Sequence, residues 1–519
     1  MKKNIFKKNQ RILLISSFLI MLSFVLISIY LFSINQNLDQ DSQEDPIDNT
    51  LFNDTISPDS IQQAVALEIQ RIHRRGIEDN FRKIGTSWKT NPCYYYTAQM
   101  NNAEWTSDEI TTWDTGYVGW EAYRHVENET IETKIKIEII DIEKKLLRKD
   151  EVIKESFSIV YNFKTGRWSG DDSFNDSDGY GHYIGDTYEI WFNVFQTDND
   201  NDNIPFWTEN NILGTDPYID DSRLDPDGDG IPTSWEWKWG YDPFIFDNHT
   251  ILDPDEDGLQ NIEEYTMRKW TANPYYKEIF IEVDFMEKGP GLFAKDNILH
   301  KESQWILMDA FIDHHIAIHI DDGWPSGFTN GGGEYLPFSE THVGPFSGMA
   351  SSFYKYHFAD ERKGIFRYVL VLHDCGWNFC VDHKLWPDVI TIPSNNQYFR
   401  NVYMPSATTE RLMRLAHSVV LMHELGHSMG LIPEYCAGID NASMAGRNDL
   451  PPIQKWIERI DAWNYWEDYQ SVMNYHKINV YYLDYSDGSH GPNDEDDWSH
   501  IDLRFFQEPI FEDYDVSDS

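Results

Sequence analysis

His423, Glu424 and His427 stand inside an apolar run, SVVLMHELGHSMGLI, that has no helix breaker before Gly430. On a helix, residues i and i+4 share a face, so this spacing lets both imidazoles grip one metal ion. Glu424 lies alongside, placed to take a proton from a metal-bound water. Zinc suits neutral imidazoles, and a catalytic zinc site leaves one coordination position open for that water. The flanking Val419, Val420, Leu421, Met422 and Leu425 mark the helix as buried. Burying two histidines and a glutamate without partners is costly, and a metal removes that cost. One catalytic zinc is therefore expected.

Downstream, after a loop, Ser471 to Tyr475 reads SVMNY. Together the two stretches resemble the metzincin clan of zinc metallopeptidases, in which HExxHxxG is followed by a tight methionine turn beneath the metal. The resemblance implies a zincin-like fold, makes Met473 the floor of the site, and gives Tyr475 a part in stabilising the tetrahedral intermediate. The sequence also departs from that pattern. The clan's third ligand falls three residues after the glycine, where this chain has Pro433. Glu434 is the nearest available ligand and stands first, Asp440 next. His476 and the acidic segment 484–502 follow, and a solvated loop acid remains the other reading of Glu434.

A second set of spaced carboxylates lies between residues 198 and 274. DNDNDNIPFWTE, DPDGDGIPTSWE and DPDEDGLQNIEE begin at Asp198, Asp225 and Asp253, so the starts are 27 and 28 residues apart. Each segment places acids at positions 1, 3 and 5 and a glutamate at position 12. The sets are Asp198, Asp200, Asp202 and Glu209; Asp225, Asp227, Asp229 and Glu236; and Asp253, Asp255, Asp257 and Glu264. This is the calcium-loop spacing of an EF-hand, in which alternate oxygens fold inward around a hard cation and the twelfth residue closes the site. Gly230 and Gly258 fill the sharp-turn position 6, and Asn203 makes the first loop the weakest. The layout is similar to thrombospondin type 3-like calcium repeats. Two or three structural calcium ions are expected, stiffening a stalk with little apolar material of its own.

These sites need elements to hold them, and 519 residues allow two or three domains. A net charge of −45 excludes a nucleic-acid partner, which needs Lys and Arg clusters, and fits calcium binding. Aromatic content of 15% is too high for a disordered acidic chain. Basic residues from Lys2 to Arg11 precede an uncharged apolar run at 12–34, long enough to span a bilayer. The positive-inside rule then puts the N-terminus in the cytoplasm and the rest outside. A cleaved signal peptide, giving a secreted protein, is the alternative. Cys375 with Cys380, and Cys93 with Cys436, can pair in that oxidising setting.

The expected organisation is multidomain. It comprises a basic tip and transmembrane helix (1–34), a tether and helical region (35–112), and a β-sandwich-like domain (113–197). The calcium-loop repeat segment (198–274) and an α+β zincin-like catalytic domain (275–519) follow. Ile61, Val65, Ile69 and Ile72 predict a helix ending near Arg75. Alternation in ETKIKIEIID, ESFSIVYNF and YEIWFNVF predicts strands. A mixed sheet with helices is expected before a metal-bearing helix at 407–430. The function that follows is a membrane-anchored, outward-facing zinc endopeptidase acting on proteins or peptides. Its rivals are a non-catalytic, calcium-dependent surface or adhesion protein and a zinc hydrolase of non-peptide bonds.

Overall fold

The computed structural model describes residues 64–77, 91–116, 118–125, 131–144, 149–173, 180–291, 296–323, 331–339, 348–373, 388–394, 410–441, 451–478 and 483–507. Its first half is built from alternating strands. β1 (Ala64–Arg74), β4 (Trp120–His125), β8 (Gly181–Ile184) and β9 (Tyr188–Gln196) form one antiparallel sheet in the order β4-β1-β9-β8. β2 (Tyr94–Met100), β3 (Ala103–Thr106), β5 (Glu132–Lys144), β6 (Lys149–Asn162) and β7 (Arg167–Gly170) form a second, ordered β3-β2-β5-β6-β7. Val65, Leu67 and Phe192 from the first sheet share a core with Tyr96, Ile137 and Phe157 from the second.

β1 replaces the helix predicted at the same residues. Val65, Leu67 and Ile69 are buried at a period of two, and a β-bulge then shifts the register with β9 between Ile69 and Arg71. The extra residue turns the next step into three, so Ile72 is buried in place of Arg71. A bulged strand can therefore imitate the helical spacing of 65, 69 and 72.

The second half is organised by a parallel sheet, ordered β11-β10-β13-β14, where β10 is Glu278–Met286, β11 Ala317–Asp321, β13 Phe366–Leu372 and β14 Val389–Pro393. The short β12 (Tyr335–Leu336) also pairs with β10, again in parallel. Among the described strands this corrects the expected mixed sheet. β10 is buried along its whole length because helices cover both faces. Ile279, Ile281 and Val283 pack with α3 (Lys301–Ile312) and α5 (Glu410–Ser428), while Phe280 and Leu370 face α4 (Gly348–His357). Two shorter helices, α1 (Thr233–Trp239) and α2 (Asn261–Met267), belong to the repeats, and α6 (Pro452–Tyr465) lies on the surface with no buried residue.

The described residues pack as one compact unit. A polar joint ties β1 to α3: His73 Nε2 lies 3.1 Å from Asp309 Oδ1, the Gly76 amide donates to Asp309 Oδ2, and Arg75 pairs with Asp313. Burial lowers the His73 pKa, but Asp309 and then Asp114 outweigh it and leave the imidazole raised.

Two expectations are corrected. Among the described residues no helix is long and apolar enough to cross a membrane. The longest, α5, has 19 residues and carries Arg411, Arg414, His423, Glu424 and His427. The expected transmembrane element of the fold, and the single-pass location and membrane partner drawn from it, therefore have no helix to rest on; residues 12–34 lie outside the described ones. Cys93 and Cys436 are both free, so they form no bridge. Cys375 and Cys380 lie outside the described residues.

Candidate metal centres

α5 forms because its apolar positions recur on the faces that meet β10 and α3, and it ends where Gly430 turns to φ 87°. His423 and His427 are buried on that helix. His423 Nδ1 lies 2.8 Å from the Val472 carbonyl, and His427 Nδ1 lies 2.8 Å from the Leu431 carbonyl. Each Nδ1–H donates to its carbonyl, which leaves Nε2 as the ring nitrogen that can meet a metal. Both Nε2 atoms then turn to one carboxylate: His423 Nε2 is 3.3 Å from Asp440 Oδ1, and His427 Nε2 is 3.5 Å from Asp440 Oδ2. The ligand atoms of the three residues all fall within 4.8 Å of one another.

The third member of this cluster is Asp440, and Glu434 lies on the exposed side of the loop. Asp440 reaches the site through its backbone. It sits at φ 53°, and its N–H donates to the Met473 carbonyl at 3.0 Å. Met473 is fully buried under α5, where a side chain at Gly426 would come within 2.5 Å of its sulfur. Close packing of the turn explains the glycine inside HELGH. Tyr475 stacks on His423, with ring centroids 5.4 Å apart, and its hydroxyl hydrogen-bonds Asp440. Glu424 is buried beside His423. Residues His476 and 484–502 take no part in this cluster.

The electrostatics fit a cation. Burial pushes the Asp440 carboxyl up, but His427 and His423 beside it prevail and hold it at about 2. Burial lowers His423, yet Asp440 and Glu424 raise it to about 9. Two imidazoles and a carboxylate around one point hold protons where a divalent ion can replace them. Asp440 Oδ1 is buried and accepts no hydrogen bond. The donor set, two neutral nitrogens and one carboxylate oxygen, suits zinc.

The three acidic repeats form closed loops at the expected spacing. The first carboxylate of each accepts backbone amides of its own loop: Asp198 from Asn203, Asp225 from Gly230 and Asp253 from Gly258, at 2.9, 3.0 and 3.1 Å. Position 6 has φ of 68° at Asn203 and 99° at Gly230 and Gly258, so asparagine tolerates the turn that glycine makes freely. The twelfth residues, Glu209, Glu236 and Glu264, are buried to 1% exposure or less. Both oxygens of Glu236 and Glu264, both of Asp200, and one each of Glu209, Asp227, Asp253 and Asp255 accept no hydrogen bond. Buried carboxylates are paired, hydrogen-bonded or bound to metal, and this donor set of clustered oxygens fits calcium. Sequence reasoning missed His249, whose Nε2 lies 3.2 Å from Asp229 Oδ2 in the second loop. A lone histidine 20 residues beyond Asp229 carries no spacing signal.

No family model matches the sequence, and no curated protein does. The resemblances to metzincins and to thrombospondin type 3-like repeats therefore rest on the motifs alone. Among solved structures, the chain is similar to human GIVD cytosolic phospholipase A2 in complex with methyl gamma-linolenyl fluorophosphonate, at 8% identity over 26% of this chain and TM-score 0.17. It spans 17% of that protein's length. It is also similar to the paired C2 domains of Extended-Synaptotagmin 2 (12% identity, 26% of this chain and 42% of that chain, TM-score 0.17). A third is Drosophila C2-DSL-EGF1 (6% identity, 26% of this chain and 68% of that chain, TM-score 0.15). Likeness at these scores assigns neither fold nor function.

Proposed function

We propose that this chain is a zinc-dependent peptidase with calcium-bound structural loops. The observation that carries the reading is the convergence of His423 Nε2, His427 Nε2 and the Asp440 carboxylate, with both Nδ1 atoms committed to carbonyls. Such a set would hold zinc by three protein ligands. When bound, zinc supplies Lewis-acid polarisation of a carbonyl and a lowered pKa for water. The chain's own residues do the rest. Glu424, next to His423 and buried, accepts the proton of the attacking water and passes it to the leaving amine. Tyr475 keeps Asp440 oriented through its hydroxyl and lies beside the ring of His423, where it would be available to stabilise an oxyanion.

Asp440 also weakens the chief argument for a non-catalytic surface protein, the proline at position 433. The test is Glu424→Gln in the full chain, with bound zinc and casein cleavage measured together. Retained zinc with cleavage reduced at least about a hundredfold supports the reading. Cleavage at the wild-type rate removes Glu424 from the mechanism. Zinc binding with no cleavage by the wild type turns the reading to a binding module.

A further inference from the structure

Each calcium loop has the same kind of neighbour. An oxygen of its fifth-position carboxylate accepts the backbone N–H of another acid beyond the following helix. Asp202 accepts from Asp221 at 3.4 Å, Asp229 from Asp247 at 3.2 Å, and Asp257 from Glu278 at 2.8 Å. In the first two repeats that acid belongs to the segment leading into the next repeat. In the third it is the first residue of β10, inside the domain that carries α5.

The Glu278 carboxylate is buried, accepting the Asn273 N–H at 2.9 Å and lying 2.7 Å from His319 Nε2. His319 thus brings that carboxylate a hydrogen bond. Glu264 is 1% exposed and neither of its oxygens accepts a hydrogen bond. Burial, then the charge of Glu278, pushes its carboxyl well above the usual range. Burial and neighbouring Asp257 likewise raise Asp255 to about 10. Buried like charges without a counterion are strongly unfavourable, and a divalent ion among them reverses the sign.

We propose that the third loop's cation is bound jointly by the repeat and the domain after it, with Glu278 as the joining residue. Its amide fixes Asp257, and its carboxylate adds to the charge that the ion neutralises. Occupancy of this loop then controls the order of β10, and through it the sheet on which α5 rests. In the first two loops the corresponding amides, of Asp221 and Asp247, belong to the repeat segment itself. The inference rests on the reading of the three loops as calcium sites.

The test measures calcium stoichiometry and affinity on the full chain for wild type, Glu278→Gln and Glu236→Gln, with hydrogen exchange of β10 followed with and without calcium. Ligand charge count sets the affinity of such sites, so Glu278→Gln is expected to weaken one ion by at least about tenfold and leave the others unchanged. In the wild type and in Glu236→Gln, calcium is expected to protect β10. If Glu278→Gln fails to fold, wild-type exchange decides alone: β10 protection that ignores calcium overturns the proposal. Unchanged affinities in Glu278→Gln also overturn it while leaving the calcium loops standing. A wild-type chain that binds no calcium overturns both.

Discussion

Val472 and Leu431 donate nothing from their side chains to the zinc-type centre, yet their carbonyls select the tautomer of both histidines and so the direction of both lone pairs. His423, Glu424 and His427 were legible in the sequence because helix geometry turns spacing into a shared face. Asp440 ranked behind Glu434 because chain distance was the only guide. Its position depends on a left-handed backbone turn and an amide bond to Met473, and neither leaves a spacing pattern. Replacing Asp440 by Asn is expected to weaken zinc binding roughly 10–100-fold. Glu434→Gln is expected to leave it unchanged. Competition against a zinc-binding indicator measures both, and equal losses in the two variants would return Glu434 to the ligand set.

At the scale of elements, β5 and β6 were readable from simple alternation because one face of their sheet meets the core. β1 was not, since its bulge supplies a three-residue step. The three acidic loops were readable as loops, because carboxylates at alternate positions are a property of local chain geometry. Their stability should depend on pH in a definite direction. Burial, then neighbouring acids, raises Glu209 and Glu236 to about 8 from an ordinary 4.5. The metal-free fold therefore keeps protons that the unfolded chain has lost. The associated stability is full below about 4.5 and disappears as pH rises through about 8. Melting temperature in a calcium chelator is expected to fall across that window, and added calcium should flatten the curve. A chelated protein with no such decline would contradict the raised pKa of these acids.

For the whole molecule, the joint at His73 brings together residues 236 positions apart in the chain. Such pairings are invisible to periodicity, which is why the docking of β1 against α3 was not legible. His73→Ala leaves Asp309 and Asp114 buried with less compensation, and the expected loss is about 3–5 kcal/mol. The raised His73 pKa fixes the pH dependence. Its contribution is complete below the unfolded value of 6.5 and is lost as pH climbs through the higher folded value. Denaturant titrations of wild type and variant at acidic and alkaline pH check this; a gap that widens toward alkaline pH would refute the sign. The net charge of −45 adds self-repulsion that bound divalent ions relieve.

The stitch between Asp440 and Met473 has one more implication. Two imidazoles are present as soon as α5 coils, but the third donor arrives only when a segment 33 residues further along folds beneath the helix. A chain still emerging, or one caught half-assembled, would hold a metal by two nitrogens and release it readily. Firm metal retention would thus report finished folding, since a half-assembled copy lacks the Asp440 carboxylate beside the two histidines.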